Sequence, residues 1–394
     1  MTTADRRPAT IATALETPIS RRRALQLGAA AGAAAFLGAT SAARVTAQEP
    51  VTGGFKMANW IGYMDWDANG NSAFLSRFEA ETGIDIDYQE SVNGNEEFYA
   101  SQLQAPLQAG VPTGWDLVVL TDWMMQRLVS YGWLEAYDTS VMPNYPTNLL
   151  DLYKARDWDP GNLLAAPWQS GMTGLGYDQA ITGPLTSLDI LFGQDYAGQV
   201  TYLNDPRDTV GLSALRLGID PSTLTEEQWQ QSLAEVKTAI DNGIVRAITG
   251  NDYVNSMATG DVVLAIAWSG DIAGLLVPGQ SESQDFQWTL ADQGGMLWTD
   301  NMSIPKGAAN KAQAQVFVNW YYVPANAAEI AAFIGYVSPV AGADQAMLDI
   351  DPAIAANTLI FPDEAMRSRL HEFRSLDRDT AAAWEAQFNE VSGL

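Results

Sequence analysis

Cysteine is absent from this sequence of 394 residues, and histidine occurs only once, at His371. These two absences exclude thiol nucleophiles, disulfides, cysteine-rich metal sites and any catalytic arrangement that requires two histidines. The sequence also lacks the nucleophile-elbow, phosphate-loop and dinucleotide-binding motifs of common enzymes. We therefore expect no catalytic residue, no cofactor and no metal site, and we assign no role to His371.

Basic residues are few, since Lys and Arg number 21 against 47 Asp and Glu and give a formal net charge of −26. Nucleic acids and anionic membranes bind basic proteins, so this acidity argues against both as partners. Hydrophobic residues make up 47% of the chain, enough for a sizeable core. The chain is also rich in aromatic residues, with 13 Trp, 14 Tyr and 12 Phe, which favours a binding role.

Residues 1–47 are typical of an export signal. A basic region ends in Ser20-Arg21-Arg22-Arg23-Ala24-Leu25, a weakly apolar Ala/Gly/Leu stretch follows over 25–43, and Val45-Thr46-Ala47 is a small-residue cleavage site. The paired arginines resemble the twin-arginine export motif, although Ala24 stands where a bulky apolar residue is usual. A membrane anchor is the alternative, but the stretch is poorly hydrophobic for a span. Cleavage would leave an exported chain of charge −30, because the segment carries six Arg and two acidic residues.

Strand-like and helix-like segments alternate along the rest of the chain, which predicts α/β layers. The chain is long for one domain, so we expect two lobes. No long linker is evident, so the lobes are expected to interleave in sequence. The predicted strands are 55–60, 84–88, 115–120, 200–203 and 262–268, and the predicted helices are 72–82, 123–131, 225–242 and 312–322.

Aromatic residues recur at the predicted strand ends, several of them beside a carboxylate. Ligand crevices in open α/β sheets lie outside the carboxyl ends of strands, so these residues are candidates to converge on one site. Aromatic faces and carboxylates together suit an organic cation. Any single Trp is more readily explained as a packing residue of the core, and it is the set beside carboxylates that favours a site. The aromatic residues are Trp60, Tyr63, Trp123, Trp168, Trp268 and Trp298, and the carboxylates beside them are Asp122, Asp271 and Asp300.

A second acidic cluster is Asn204-Asp205-Pro206-Arg207-Asp208, directly after an apolar strand. If Pro206 opens a helix, both acids lie at its first turn. The local pattern alone favours plain helix capping, with Asp205 as the N-cap and Asp208 in an acidic first turn. The alternative is a cation site, because two acids this close raise each other's pKa until a cation arrives.

Several stretches resemble the polyamine-binding proteins of bacterial ABC importers, the spermidine/putrescine class. They follow the family order from about residue 55 to 340, and the ordered series is stronger than any single match. The matching stretches are Asn59-Trp60-x-x-Tyr63, Phe78-Glu79-Ala80-Glu81-Thr82-Gly83-Ile84, Trp115-Asp116-Leu117-Val118-Val119, Asn204-Asp205-Pro206-Arg207-Asp208, Ala267-Trp268-Ser269-Gly270, Gly294-Gly295-Met296-Leu297-Trp298-Thr299-Asp300-Asn301-Met302-Ser303-Ile304-Pro305 and Ile334-Gly335-Tyr336-Val337-Ser338-Pro339.

The resemblance implies a periplasmic binding protein fold, in which two α/β lobes joined by crossing hinge strands close on a ligand. One lobe would comprise 48–170 plus 301–335, and the other 171–300 plus 336–394. The implied function is that of an extracytoplasmic receptor that binds a polyamine and presents it to the membrane permease of an ABC importer. It makes or breaks no bond, and we expect it to be a monomer.

The resemblance also assigns residues to the ligand site. The implied ligand-lining aromatics are Trp60, Tyr63, Trp123, Trp268 and Trp298, the implied ammonium-binding carboxylates are Asp205, Asp208 and Asp300, and Thr121 matches a hydroxyl position. Position 208 is Asp where the longer Glu is common. Ile61-Gly62 replaces the Thr-Glu pair of many spermidine binders, which removes a carboxylate that Asp122 is expected to replace. The choice among putrescine, spermidine and spermine therefore stays open.

Two alternatives remain. The first is a receptor of the same type for another cargo, such as an oligosaccharide, because Trp and Asp also suit sugar rings and hydroxyls. A neutral sugar, however, would not need three carboxylates at fixed places. The second is a glycosidase, which would use a pair of carboxylates, but the abundance of acidic residues is weak support for it.

Overall fold

The computed structural model describes residues 51–154, 156–275 and 284–393. These residues belong to one compact unit, Glu49–Leu394. The predicted export signal over 1–47 lies outside the described residues. No helix within the described ranges is long and apolar enough to cross a membrane.

The strands form a mixed sheet in the order β2-β1-β3-β10-β5-β8-β6-β7. Neighbouring strands run parallel within β2-β1-β3 and within β8-β6-β7, whereas β10 and β5 are antiparallel to their neighbours on both sides. In addition, β4 and β11 pair with β10, and β9 pairs with β5. The strands are β1 Gly53–Trp60, β2 Ile84–Val92, β3 Leu117–Thr121, β4 Leu134–Glu135, β5 Ala166–Asp178, β6 Val200–Leu203, β7 Val245–Thr249, β8 Leu264–Trp268, β9 Phe286–Thr289, β10 Gly295–Pro305 and β11 Leu370–Glu372.

Helices flank the sheet, so the α/β class predicted from the sequence is confirmed. Local signals fix several helix ends: Ser72 caps the first helix by accepting from the backbone N–H of Leu75, and Gly83 ends it with a φ of 71°. The helices are α1 Ala73–Thr82, α2 Asn95–Phe98, α3 Gln104–Gln108, α4 Asp122–Ser130, α5 Asn144–Asn148, α6 Gln179–Thr182, α7 Pro206–Arg216, α8 Glu226–Asp241, α9 Tyr253–Ala258, α10 Ser269–Leu275, α11 Lys311–Tyr321, α12 Pro324–Ile334, α13 Ala343–Ile350, α14 Pro352–Ala355, α15 Glu364–Arg367 and α16 Arg378–Ser392.

Buried apolar side chains form three cores, and the two long antiparallel strands β5 and β10 connect the first core to the second. The first core packs α1, α11 and α12 against β1, the second surrounds β6 and β8, and the third covers the opposite side of β1 and β3. From β5, Trp168 joins the first core and Tyr177 the second; from β10, Met302 joins the first and Met296 the second. Both strands therefore run from one core to the other.

The lobe boundaries stay a prediction. The packing of residues after 336 nevertheless indicates which core the C-terminal part of the chain joins. Side chains between Tyr336 and Ile360 pack in the first core, whereas Trp384 and Phe388 pack in the second. This packing favours a boundary later than residue 336 for the last crossing between the lobes.

Candidate functional site

A cavity of about 930 Å³ opens beyond the carboxyl ends of β1, β3, β6 and β8. The position is the one expected for ligands of open α/β sheets. Ten acidic side chains line the cavity against three arginines, so its charge favours a cation. The lining includes every site residue predicted from the sequence, namely Trp60, Tyr63, Thr121, Asp122, Trp123, Asp205, Asp208, Trp268, Trp298 and Asp300.

Asp300 lies in the middle of β10, where it pairs with Thr121 of β3. Its carboxylate is buried, at 2% exposure, and accepts a hydrogen bond on each oxygen. The Tyr63 hydroxyl donates to Oδ2 at 2.8 Å, and Thr121 Oγ1 donates to Oδ1 at 2.8 Å. Burial raises the pKa of Asp300 to about 7, despite these two donors. Two neutral donors hold this carboxylate in place but supply no positive charge.

Asp208 has a closely similar environment in the first turn of α7. It is buried, and each of its oxygens accepts one bond: Thr173 Oγ1 donates to Oδ1 at 2.7 Å, and Trp268 Nε1 donates to Oδ2 at 2.8 Å. Burial, with the charge of Asp205 added, raises the pKa of Asp208 to about 7. The indole that donates to Asp208 belongs to one of the predicted ligand-lining rings.

Asp205 caps α7, as the local pattern predicts. Its Oδ1 accepts from the backbone N–H of Arg207 at 2.8 Å, with Pro206 in the first helical turn. The same oxygen lies 3.9 Å from Nη1 of Arg207. The capping interpretation is therefore confirmed, and the capping residue also lines the cavity.

Asp122 is occupied by partners from within the protein. Its oxygens accept from the backbone N–H of Thr299 at 2.9 Å and from Nδ2 of Asn301 at 2.7 Å, and Nη2 of Arg156 lies 3.3 Å from Oδ1. Burial raises the pKa of Asp122, while the charge of Arg156 opposes the shift. The expectation that Asp122 replaces the carboxylate missing at Gly62 stays a prediction, since this carboxylate already has a cationic neighbour.

Aromatic rings form a continuous wall of the cavity. The ring centroids are 6.1 Å apart for Tyr63 and Tyr336, 5.2 Å for Tyr336 and Trp298, and 6.4 Å for Trp298 and Trp268, each pair meeting edge to face. Trp168, in contrast, is buried in the first core, where its ring centroid lies 4.4 Å from that of Tyr321.

Two glycines make room for this wall. A Cβ on Gly171 of β5 would lie 2.0 Å from the ring of Trp298, and a Cβ on Gly270 would lie 2.5 Å from the ring of Tyr336. Neither glycine has a positive φ, so the requirement comes from ring packing and not from backbone conformation. The wall can form only where the backbone approaches both rings this closely.

Trp123, at the start of α4, already has a cation on its ring. The guanidinium carbon of Arg207 lies 4.0 Å from a ring centroid of Trp123, and that of Arg127 lies 5.4 Å away. Burial lowers the pKa of Arg207, and the charges of Asp205 and Glu385 oppose the shift. This cation remains protonated at neutral pH, as arginine does in proteins generally.

Among the other lining residues, three that bear on cation binding were absent from the predicted site. Tyr336 completes the wall, and Asp271 accepts from Tyr253 Oη at 2.7 Å and from Asn251 Nδ2 at 2.8 Å. Glu372 lies on β11, and burial raises its pKa to about 7. The sequence indicated two of them. Asp271 follows Trp268 by three residues, and Tyr336 lies in one of the stretches that resemble the polyamine-binding proteins. No local signal identifies Glu372, because the pairing of β11 with β10 brings it to the cavity.

The chemistry that these groups support is cation binding. The structure holds no group of three or more His, Cys, Asp or Glu side chains suited to a metal ion in its described part. Buried carboxylates held by neutral donors, next to aromatic faces, provide charge-assisted hydrogen bonds and cation–π contacts.

The family model of bacterial extracellular solute-binding proteins matches residues 73–362 of this chain. The spermidine/putrescine-binding periplasmic protein of Escherichia coli K12 is 25% identical over 307 residues, covering 77% of this chain and 84% of that protein. The putrescine-binding periplasmic protein PotF of the same strain is 27% identical over 346 residues, covering 83% of this chain and 89% of that protein.

Solved structures share the fold. The spermidine/putrescine substrate-binding protein PotD of Streptococcus pneumoniae, in complex with calcium and HEPES, superposes with a TM-score of 0.72 at 21% identity, covering 87% of this chain and 99% of that one. A putative spermidine/putrescine ABC transporter protein from Listeria monocytogenes gives 0.71 at 25% identity, covering 86% of this chain and 98% of that one.

Proposed function

The chain belongs to the family of bacterial extracellular solute-binding proteins, and from this we propose that it is the polyamine receptor of an ABC importer. It binds a polyamine of the spermidine/putrescine class in the cavity and presents it to a membrane permease. The observation that carries the proposal is the pair of buried carboxylates, Asp300 and Asp208. Each has both oxygens fixed by neutral donors, and neither forms an ion pair with a basic side chain of the described ranges.

The electrostatics of these carboxylates favour a ligand with ammonium groups. Burying an ionised carboxylate is costly unless an opposite charge matches it, and the raised pKa of each group expresses that cost. An ammonium group on each would repay it through a charge-assisted hydrogen bond. We propose Asp300 for one ammonium group and Asp208 for another.

The aromatic wall suits the chain between the ammonium groups. Rings of Tyr63, Trp268 and Trp298 present apolar faces to methylene groups, each worth about 0.8 kcal/mol when buried. An ammonium close to a ring face gains a further ~0.5–2 kcal/mol. The ten residues predicted from the sequence stay our proposal for the ligand-binding surface, with Asp271, Tyr336 and Glu372 added.

The names of the relatives support a polyamine as the ligand. The Escherichia coli relatives are named as spermidine/putrescine-binding and putrescine-binding periplasmic proteins, and a putrescine/agmatine-binding protein of Pseudomonas aeruginosa is 23% identical over 255 residues. An oligosaccharide is the less favoured cargo, because a neutral sugar would leave both buried carboxylates without a matching charge.

Further features complete the proposal. The family is one of binding proteins and not of enzymes, and we propose that this chain makes and breaks no bond. We propose an extracytoplasmic location reached through a twin-arginine signal in residues 1–47, and a monomer whose lobes, 48–170 plus 301–335 and 171–300 plus 336–394, close on the ligand. The packing after residue 336 favours a later boundary for the second segment of the first lobe.

Calorimetric titration of the purified protein with putrescine, spermidine and spermine tests the proposal, with maltose as the neutral control. We expect saturable one-to-one binding of at least one amine and no heat with maltose. Asp300→Asn keeps the size of the side chain and removes its charge, so it should weaken amine binding by about 1.5–3 kcal/mol, the value of a charged hydrogen bond. Binding of maltose without any amine, or unchanged amine affinity in Asp300→Asn, would contradict the assignment.

A further inference from the structure

The pairing of β10 changes on both sides at Asp300. On the β5 side, Asp300 pairs with Gln169. The next residue, Asn301, pairs with Pro167, so one residue of β5 is left over between the two pairs. On the β3 side, the pairing ends at Thr121, directly opposite Asp300. Such irregularities disrupt the hydrogen-bond ladder of a sheet and re-aim side chains. The direction of the Asp300 side chain therefore depends also on contacts outside the ladder.

The carboxylate of Asp122 holds β10 immediately before and after this point. Its Oδ2 accepts from the backbone N–H of Thr299 at 2.9 Å, and Thr299 lies one residue beyond the last pair of β10 with β3. Its Oδ1 accepts from Nδ2 of Asn301 at 2.7 Å, and the same Nδ2 donates to the carbonyl of Thr299 at 2.9 Å. The two residues that flank Asp300 are therefore bound to one carboxylate and to each other.

Arg156 balances the charge of Asp122 and also binds Asn301. Its side chain is 2% exposed, its Nη1 donates to Oδ1 of Asn301, and its Nη2 lies 3.3 Å from Oδ1 of Asp122. A carboxylate buried here without a cation would be costly. Its charge would also act on Asp300, whose pKa is raised by burial and, further, by the charge of Asp122. Arg156 therefore allows an acidic side chain to hold β10 beside the carboxylate of Asp300.

The side chain of Asn301 is fully buried and is not among the residues that line the cavity, whereas Asp300 lines it. Asn301 can therefore influence a ligand only through its neighbours. We propose that Asn301, bound by Asp122 and Arg156, is a positioning residue that directs Asp300 of β10 toward a ligand ammonium group. The proposal deepens the proposed function and rests on it, because it assumes that Asp300 binds an ammonium group.

The variant Asn301→Leu tests the proposal by calorimetric titration with putrescine and spermidine. Leucine keeps the branched shape of the side chain and removes its hydrogen bonds, while the ion pair of Asp122 with Arg156 and the bond from Thr299 can remain. We expect each amine that the unmodified protein binds to bind more weakly by about tenfold or more, the lower end for a lost charged hydrogen bond.

The same change in the Asp300→Asn variant shows whether Asn301 acts through Asp300. If it does, Asn301→Leu should weaken amine binding by less than about twofold in that background, because the contact that it supports is already lost. A residue that only stabilises the fold would weaken binding equally in both backgrounds. Equal weakening would therefore refute the positioning role.

Asn326 provides a matched control outside the cavity. It is also buried, its Oδ1 accepts from Nη1 of Arg77 at 2.8 Å, and its Nδ2 donates to the carbonyl of Trp320 at 2.7 Å. Asn326→Leu therefore removes the same kinds of hydrogen bond as Asn301→Leu. It should lower the free energy of unfolding in urea, as Asn301→Leu does, but leave amine affinity within about twofold of the unmodified protein.

The dependence of affinity on pH gives a second test. Displacing Asp300 from the ligand removes its part of the linkage between protons and amine. Between pH 8 and pH 6, the affinity of Asn301→Leu should therefore fall about tenfold less than that of the unmodified protein. An unchanged pH profile would overturn the proposal.

The outcomes separate the positioning role from the proposed function. If the unmodified protein binds no amine, the proposed function fails, and the positioning role fails with it. If amines bind and Asn301→Leu matches Asn326→Leu in affinity, only the positioning role is refuted. If Asn301→Leu does not fold, Asn301→Asp undergoes the same comparisons with the same expected results, because it keeps the bond from Arg156 and loses the donation to Asp122 and Thr299.

Discussion

Amine binding should depend steeply on pH and should release protons. Burial raises the pKa of both Asp300 and Asp208 to about 7 in the free protein, so each carboxyl is about half protonated at pH 7. An ammonium group favours the ionised form, so binding lowers both pKa values and expels the remaining protons. The ligand amines stay charged below about pH 8, as lysine does, and therefore do not obscure the effect.

The size of the effect follows from the two pKa values. With both carboxyls at about 7, complete ionisation releases about one proton in total at pH 7 and about two at pH 6. Affinity should accordingly fall about a hundredfold between pH 8 and pH 6. Titrations at each pH in two buffers of different ionisation enthalpy measure the protons directly.

The variant Asp300→Asn isolates one of the two groups. Of this pair it leaves Asp208 to titrate, so the proton release due to the pair should halve and its contribution to the fall in affinity from pH 8 to pH 6 should shrink to about tenfold. An affinity that is independent of pH over this range, with no proton released, would refute the assignment of the two carboxylates to ligand ammonium groups.

Other perturbations test the packing and the charges of the site. Gly171→Ala places a methyl 2.0 Å from the Trp298 ring and should displace it, lowering amine affinity in titrations at least about tenfold, whereas Gly193→Ala, whose nearest neighbour is 3.6 Å away, should change little. Arg156→Met leaves Asp122 buried beside no cation and should lower the free energy of unfolding, measured with urea, by about 3 kcal/mol or more; an unchanged value would argue against the pair. The ligand-free protein should melt at lower temperature as pH rises from about 4 to 7, because both buried carboxyls bind more protons folded than unfolded in that window. Saturating amine should suppress this loss, and a melting temperature that rises with pH would contradict the raised pKa values.

Local signals were sufficient for the four helices that the sequence predicts and for the strands with continuous apolar runs. The capping of α1 at Ser72 and of α8 at Thr225 depends on residues within one turn, and both helices lie where the sequence predicts them. The central strand β5 was not predicted. It contains Gly171, Gly174 and Gly176, which disfavour a strand locally, and their reason lies in distant rings and side chains that pack against the bare backbone.

The carboxylates of the site were also predictable only in part: their positions were, and their partners were not. Their positions beside aromatic residues and strand ends were visible in the sequence, and all the predicted residues line one cavity. What each carboxylate does depends on partners far along the chain. Asp122 has Arg156 beside it, whereas Asp300 has only Tyr63 and Thr121 as hydrogen-bonding side chains among the described residues. No sequence pattern states which acid is left without a cation.

The segment from Asp205 to Asp208 explains why capping and ligand binding were not true alternatives. Asp205 uses one oxygen to cap α7, which fixes the first turn and directs Asp208 into the cavity, where Thr173 and Trp268 hold it. The charge of Asp205 still raises the pKa of Asp208 and still attracts Arg207. A single capping residue therefore positions one carboxylate for a ligand cation while it holds a cation of the protein beside it, so a helix start that the local sequence predicts also shapes the cavity.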